Sequence, residues 1–203
     1  MKNLIRILVY PNITNWKNRN VKNLEQDSYI QVIKNQIKVL NELRDDLFFY
    51  LILPQIVPSL RFDNVTPLIT DLSPPKHFKD YDKKELKEIL DKNSFDIPTY
   101  APTMRSHFDV EFMRRLCSTK LDFDLVMSHL PEHTHPLKNT LYNVTHHTPL
   151  FFGYCHWFDI KGVVKTSKDS FNQNMTGLLE YDRCYINTHF QKKLVLEQAK
   201  ETF

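Results

Sequence analysis

The sequence predicts an α/β domain with a doubly wound, mostly parallel sheet and helices on both faces. Three observations predict it. Short runs rich in β-branched and aromatic residues recur along the chain, and most are apolar nearly throughout, as strands covered on both faces are. Segments with apolar residues at helical spacing lie between several of them, and strand-then-helix alternation is the pattern of a parallel sheet. The chain has 203 residues, 41% hydrophobic and 25% charged, which is enough for one large domain to bury its own core without metal or disulfide staples. Together these make residues 1–203 a single Rossmann-like domain.

Taken in order, Leu4 to Tyr10 is the first strand. Its apolar run stops at Pro11 with no small-residue cleavage site after it, so a buried strand is the better reading than a secretion signal. Asp27 and Ser28 offer capping oxygens ahead of Tyr29, Ile30, Ile33, Ile37, Leu40 and Leu43, whose spacing puts one apolar stripe on a helix. Strands follow at Leu47 to Leu53 and Val65 to Thr70. The proline-bearing stretches Leu72 to Lys76 and Ile97 to Pro102 read as loops. Asp82 to Asp91 and Asp109 to Leu116 read as short helices. Strands at Phe123 to Ser128, Leu150 to Trp157 and Cys184 to Asn187 complete the sheet, and Phe190 to Ala199 has the spacing of a closing helix. No stretch approaches the ~20 apolar residues that span a bilayer. Cys117, Cys155 and Cys184 are odd in number and form no CxxC pair, which argues for a reducing, cytoplasmic setting rather than a disulfide framework. A net charge of +3 neither demands nor excludes a nucleic-acid partner.

Ligands of open parallel sheets bind beyond the carboxyl ends of the strands, so the residues just after each strand matter most. The loop after the first strand has no glycine, and the chain holds only Gly153, Gly162 and Gly177. A GxGxxG turn or a P-loop is thereby excluded, and no dinucleotide cofactor is expected. The loop supplies Asn12, Asn15 and Trp16 with the cations Lys17, Arg19 and Lys22. That set can stack on a ring and neutralise phosphate, or form an ordinary solvated loop around one tryptophan. After Phe123 to Ser128 come His129, Glu132, His133 and His135, interrupted by Pro131 and Pro136. Their spacing matches no standard zinc pattern, so no metal site is assigned and the segment reads as an acceptor-binding loop. His146 and His147, upstream of the next strand, read as structural or surface residues. After Leu150 to Tyr154, His156 could act as a base with Asp159 fixing its tautomer, or be a core histidine bonded to backbone. Asn187 or Thr188 would cap the closing helix.

The stretch Gly177 to Leu194, with an acidic residue opening a short strand, a polar pair ending it and a basic helix following, resembles a recurring segment of GT-B glycosyltransferases. Pro149 to Tyr154 with His156 and Asp159 is similar to the preceding strand of that family, and Asp122 to His129 to the strand before it. The resemblance is specific over residues 122 to 199, and the glycine-rich turn usual after the family's first strand is here Asn12 to Trp16. It implies the amino-terminal, acceptor-binding half of a two-domain enzyme that moves a sugar from a nucleotide sugar to a hydroxyl. The nucleotide-sugar donor would be held mainly by a carboxy-terminal domain, so this half alone would be inactive. The acceptor would be a sugar, a glycan or a modified base. His156 and Asp159 would be catalytic, with Asn12, Asn15, Trp16, His129, Glu132, His133 and Thr188 on the acceptor side. The alternative is a non-catalytic Rossmann-like module that binds nucleic acid or a protein through the Trp16 to Lys22 loop.

Overall fold

The computed structural model describes residues 4–11, 24–53, 55–69, 84, 122–129, 131, 134–145, 147–155 and 168–202. Within them the chain runs β1 (Ile5–Tyr10), α1 (Ser28–Leu43), β2 (Leu47–Leu53), a 3₁₀ turn (Pro58–Leu60), β3 (Val65–Ile69), β4 (Leu125–Ser128), α2 (Thr134–Thr145), β5 (Leu150–Cys155), α3 (Lys168–Leu179), β6 (Arg183–Ile186) and α4 (His189–Thr202). The six strands form one sheet in the order β3-β2-β1-β4-β5-β6, with every neighbouring pair parallel. That is the Rossmann-like order, and it reverses between β1 and β4. No described helix is long and apolar enough to cross a membrane.

Register sorts the side chains onto two faces, because successive residues of a strand point to opposite sides. Ile7 pairs with Phe49 and Leu125, and Val9 with Leu51 and Met127, so these share one face. Ile30, Ile33 and Ile37 of α1 pack onto it with Leu24, Leu53, Val57 and Leu60. The helix starts where Asp27 accepts a hydrogen bond from the Tyr29 N–H at 2.9 Å. Pairing of Met127 with Phe152 and of Ser128 with Gly153 puts Phe151, Gly153 and Cys155 on the opposite face. There Lys138 of α2 lies over the Phe151 ring at 5.5 Å, and Met175 of α3 and Val195 of α4 pack with Cys155, Cys184 and Ile186. Helices therefore cover both faces.

The predicted strands and α1 fall where the apolar runs and the cap place them. Two helices differ from the sequence reading. Residues 134–145, whose first positions were expected in a loop, form α2; Pro136 is its third residue, where a helix needs no N–H from it. Residues 168–179 form α3, whose asparagines, Thr176 and Gly177 are weak helix formers and blur the spacing. The helices expected at Asp82 to Asp91 and Asp109 to Leu116 lie outside the described residues, Lys84 apart.

Side chains close the amino edge of the sheet. Asp124 accepts from the Arg6 N–H at 2.7 Å, and Asp182 from the Phe151 N–H at 2.7 Å. Asn64 donates to the Leu47 carbonyl at 2.9 Å. Each ties the start of one strand to its neighbour, so these polar groups are committed to structure. Ligands of open parallel sheets bind at the opposite, carboxyl edge.

Candidate functional site

The order reversal places the ends of β1 and β4 side by side, where a crevice opens in folds of this kind. The His129 N–H donates to the Tyr10 carbonyl at 3.2 Å, extending the β1–β4 ladder by one step. Ser128 and Thr134 are both buried, with hydroxyls 3.4 Å apart, and this contact holds the start of α2 against the end of β4. Tyr181 reaches across from the start of β6 and donates its hydroxyl to the Ser128 carbonyl at 3.4 Å. Its ring fills the space that a side chain on Gly153 would occupy. Tyr181 is half-buried as a residue, but its hydroxyl end lies deep, and burial raises its pKa above the ordinary tyrosine value.

On the α1 face, three rings stand in one row across three strands. His129 follows Ser128, and the register carries that row through Tyr154 to Tyr185. The His129 and Tyr154 rings stack with centroids 5.6 Å apart and planes 28° off parallel. Tyr154 and Tyr185 stack at 5.0 Å and 24°. Both distances match the ~4.8 Å between neighbouring strands, so the sheet itself sets the ring spacing. His129 is fully buried at one end of the row and Tyr185 is 59% exposed at the other. Burial, then the nearby Tyr185, raises the Tyr154 pKa, so Tyr154 carries a neutral hydroxyl at neutral pH. Beside the row lies a groove of about 290 Å³ lined by Gln36, Met127, Phe152, Gly153, Tyr154 and Tyr185.

The residues expected at the site fall into two groups. His129 is inside the row as a stacked, fully buried ring at the end of β4. Thr188 is exposed beyond the end of β6 and caps α4, accepting from the Gln191 N–H at 3.1 Å. Asn12, Asn15, Trp16, Glu132, His133, His156 and Asp159 lie outside the described residues, as do Lys17, Arg19 and Lys22. Among the described residues, no three His, Cys, Asp or Glu side chains gather as a metal site would need. Partial burial pushes the Cys184 thiol up to about 11, which keeps it protonated and poorly nucleophilic.

Sequence reasoning passed over Tyr154, Tyr185, Tyr181 and Gln36. It also passed over an ion pair on the other face. Glu180 takes His135 Nδ1 at 2.7 Å on one oxygen and Lys138 Nζ at 3.1 Å on the other, and Lys138 also donates to the Glu180 carbonyl at 3.0 Å. Burial alone would raise the Glu180 pKa, but the hydrogen bonds from His135 and Lys138 outweigh it and hold the carboxyl below the ordinary glutamate value. The pair ties α2 to the turn after α3. Because the folded pKa is lowered, this stabilisation is full above the unfolded value and is lost as pH falls through the folded one. Glu180→Gln is expected to cost about 1 kcal/mol near pH 7. In urea unfolding the gap between variant and parent should narrow as pH falls below the ordinary glutamate value of about 4.3, and a gap that does not narrow would point to packing instead.

Comparison with protein-family models, with curated proteins and with solved structures found no match to this chain.

Proposed function

We propose that this chain is the acceptor-binding domain of a glycosyltransferase, which moves a sugar from a nucleotide sugar to a hydroxyl on a ring-bearing acceptor. The observation that carries the reading is the row of stacked rings at the ends of β4, β5 and β6. The outer member of that row, Tyr185, is 59% exposed and held in place by the stack behind it, which gives a planar or chair-shaped ring an apolar surface to pack on near the edge at which parallel sheets bind ligands. The amino edge supports the same placement, since Asp124, Asp182 and Asn64 are spent there on strand ends. Want of a glycine-rich turn removes dinucleotide chemistry from the first strand. The resemblance of residues 122 to 199 to GT-B enzymes supplies the reaction.

In this reading the acceptor hydroxyl oxygen bonds to the anomeric carbon of the donor. The bond from that carbon to the phosphate oxygen breaks, and the nucleoside diphosphate leaves with its electron pair. The hydroxyl proton passes to His156, the residue that follows Cys155 at the end of β5, with Asp159 orienting the imidazole. The test is transfer by the full-length protein, offered a panel of nucleotide sugars and ring-bearing alcohols and read by mass spectrometry. His156→Ala should lower transfer about 100-fold or more at an unchanged melting temperature. Failure of the unmodified protein to consume any nucleotide sugar would discard the reading.

A further inference from the structure

One charged group stands on the same open face as the exposed rings. Arg183 pairs with Phe152 and Tyr185 with Tyr154, so Arg183, Tyr185 and Phe152 share the α1 side of β5 and β6. Exposure alternates accordingly: Arg183 and Tyr185 are open to solvent, while Cys184 and Ile186 pack against α3 and α4 on the other side. Phe152 is 43% exposed, so all three side chains are within reach of a ligand from solvent. Along the backbone Arg183 is ~4.8 Å from its cross-strand partner Phe152 and ~6.6 Å from Tyr185. Its guanidinium uses one donor locally, Nη1 to the Asp182 carbonyl at 3.2 Å, and makes no ion pair among the described residues. The neighbouring carboxylate, Asp182, is engaged at the Phe151 N–H instead.

We infer that Arg183 and Tyr185 together bind a ring that carries a carboxylate. The ring packs on Tyr185 and Phe152, and the carboxylate accepts from the remaining N–H donors of Arg183. A guanidinium is a planar fork of five donors that matches a carboxylate in charge and in shape. The choice of anion follows from the count of cations. A phosphate monoester carries nearly two charges at pH 7, and the groove beside Arg183, lined on this side by Phe152, Tyr154 and Tyr185, contributes no second cation. One guanidinium balances one carboxylate. The exposed Tyr185 ring and Phe152 supply the apolar contact that a free carboxylate in water would not need, so the charge and the ring belong to one ligand. The inference rests on the reading of this edge as an acceptor site and narrows the acceptor to hydroxylated ring acids.

Two ligand pairs test it, each keeping a ring and removing the charge: 4-hydroxybenzoate with 4-hydroxybenzamide, and glucuronate with glucose. Binding is followed by NMR titration of this chain with labelled tyrosine and arginine side chains. In at least one pair the acid should shift the Tyr185 and Arg183 resonances and bind about fivefold more tightly than its neutral partner. The pair that responds separates a planar carrier from a chair-shaped one. Raising salt from about 0.05 M to about 0.5 M should remove most of that preference, because the ion pair is exposed. Arg183→Gln should abolish the preference at an unchanged melting temperature. Arg183→Lys should keep part of it, since the charge stays while the fork is lost. Tyr185→Ala should weaken acid and neutral ligand alike, about fivefold, through the lost ring contact. Equal affinity within both pairs overturns the inference, as does a preference that survives Arg183→Gln or acids at millimolar concentration leaving Tyr185 unmoved. Any of these failures leaves the transferase reading to its own test with neutral acceptors. Acid binding without any sugar transfer by the full-length protein would keep the site and discard the transferase.

Discussion

Gly177→Ala is expected to destabilise the domain by about 3 kcal/mol, although alanine is the better helix former by about 1 kcal/mol. Gly177 sits in α3 against the turn between β4 and α2. A Cβ there would lie 1.7 Å from the Pro131 carbonyl oxygen, 2.3 Å from its carbon and 3.1 Å from its Cα. All three are backbone atoms, and the proline ring fixes φ, so no side-chain rotation relieves the overlap. Relief requires lifting α3 from the sheet or moving the turn that sets His129 and the start of α2. Either movement disturbs the packing of Met175 with Cys155 and the Ser128–Thr134 contact. For a domain of this size the melting temperature should fall by about 6–12 °C. Guanidinium unfolding gives the free energy directly. A variant as stable as its parent would mean that α3 and Pro131 are not in contact.

Gly177 also shows what was legible in the sequence. Strands were readable because β1, β2, β4 and β5 are each apolar over most of their length, and α1 because its spacing and Asp27 agree. α3 was not, because the glycine that lets it pack so closely lowers helix propensity. Asp182 illustrates a different limit. It is one of two acidic residues, with Glu180, in the stretch that carries the glycosyltransferase resemblance, and the fold gives it a local task, accepting from the Phe151 N–H. A residue pattern with so direct a structural cause carries less information about reaction than about strand pairing. The sequence directs attention to the strand ends, but the ring row was invisible in it. His129, Tyr154 and Tyr185 become neighbours only once the strand order and register are known, and neither is written in local periodicity. The same holds for Gln36, which reads as one polar position on an amphipathic helix and lines the groove only because the fold sets it beside Phe152 and Tyr154.

Gly153→Ala is expected to cost about 2–3 kcal/mol, and its partner identifies the reason. A Cβ on Gly153 would lie 2.3 to 2.5 Å from three atoms of the Tyr181 ring. That ring has little room to yield, since its hydroxyl is bonded to the Ser128 carbonyl and Cys155 and Cys184 lie nearby. Tyr181→Ala should cost about 4 kcal/mol by leaving a cavity. The two changes share one volume, so the double variant should be less destabilised than their sum by about 1–2 kcal/mol. Strict additivity would show that ring and glycine do not meet. A pH series adds an independent reading. Burial raises the Tyr181 pKa, so its contribution is complete below the unfolded value of about 10. Stability should fall as pH rises above that point, because the unfolded chain ionises first. In Tyr181→Phe this share of the alkaline loss should vanish while the ring packing against Gly153 remains. An unchanged alkaline slope in that variant would place the hydroxyl in solvent, and with it the anchor between β6 and the end of β4 would be lost.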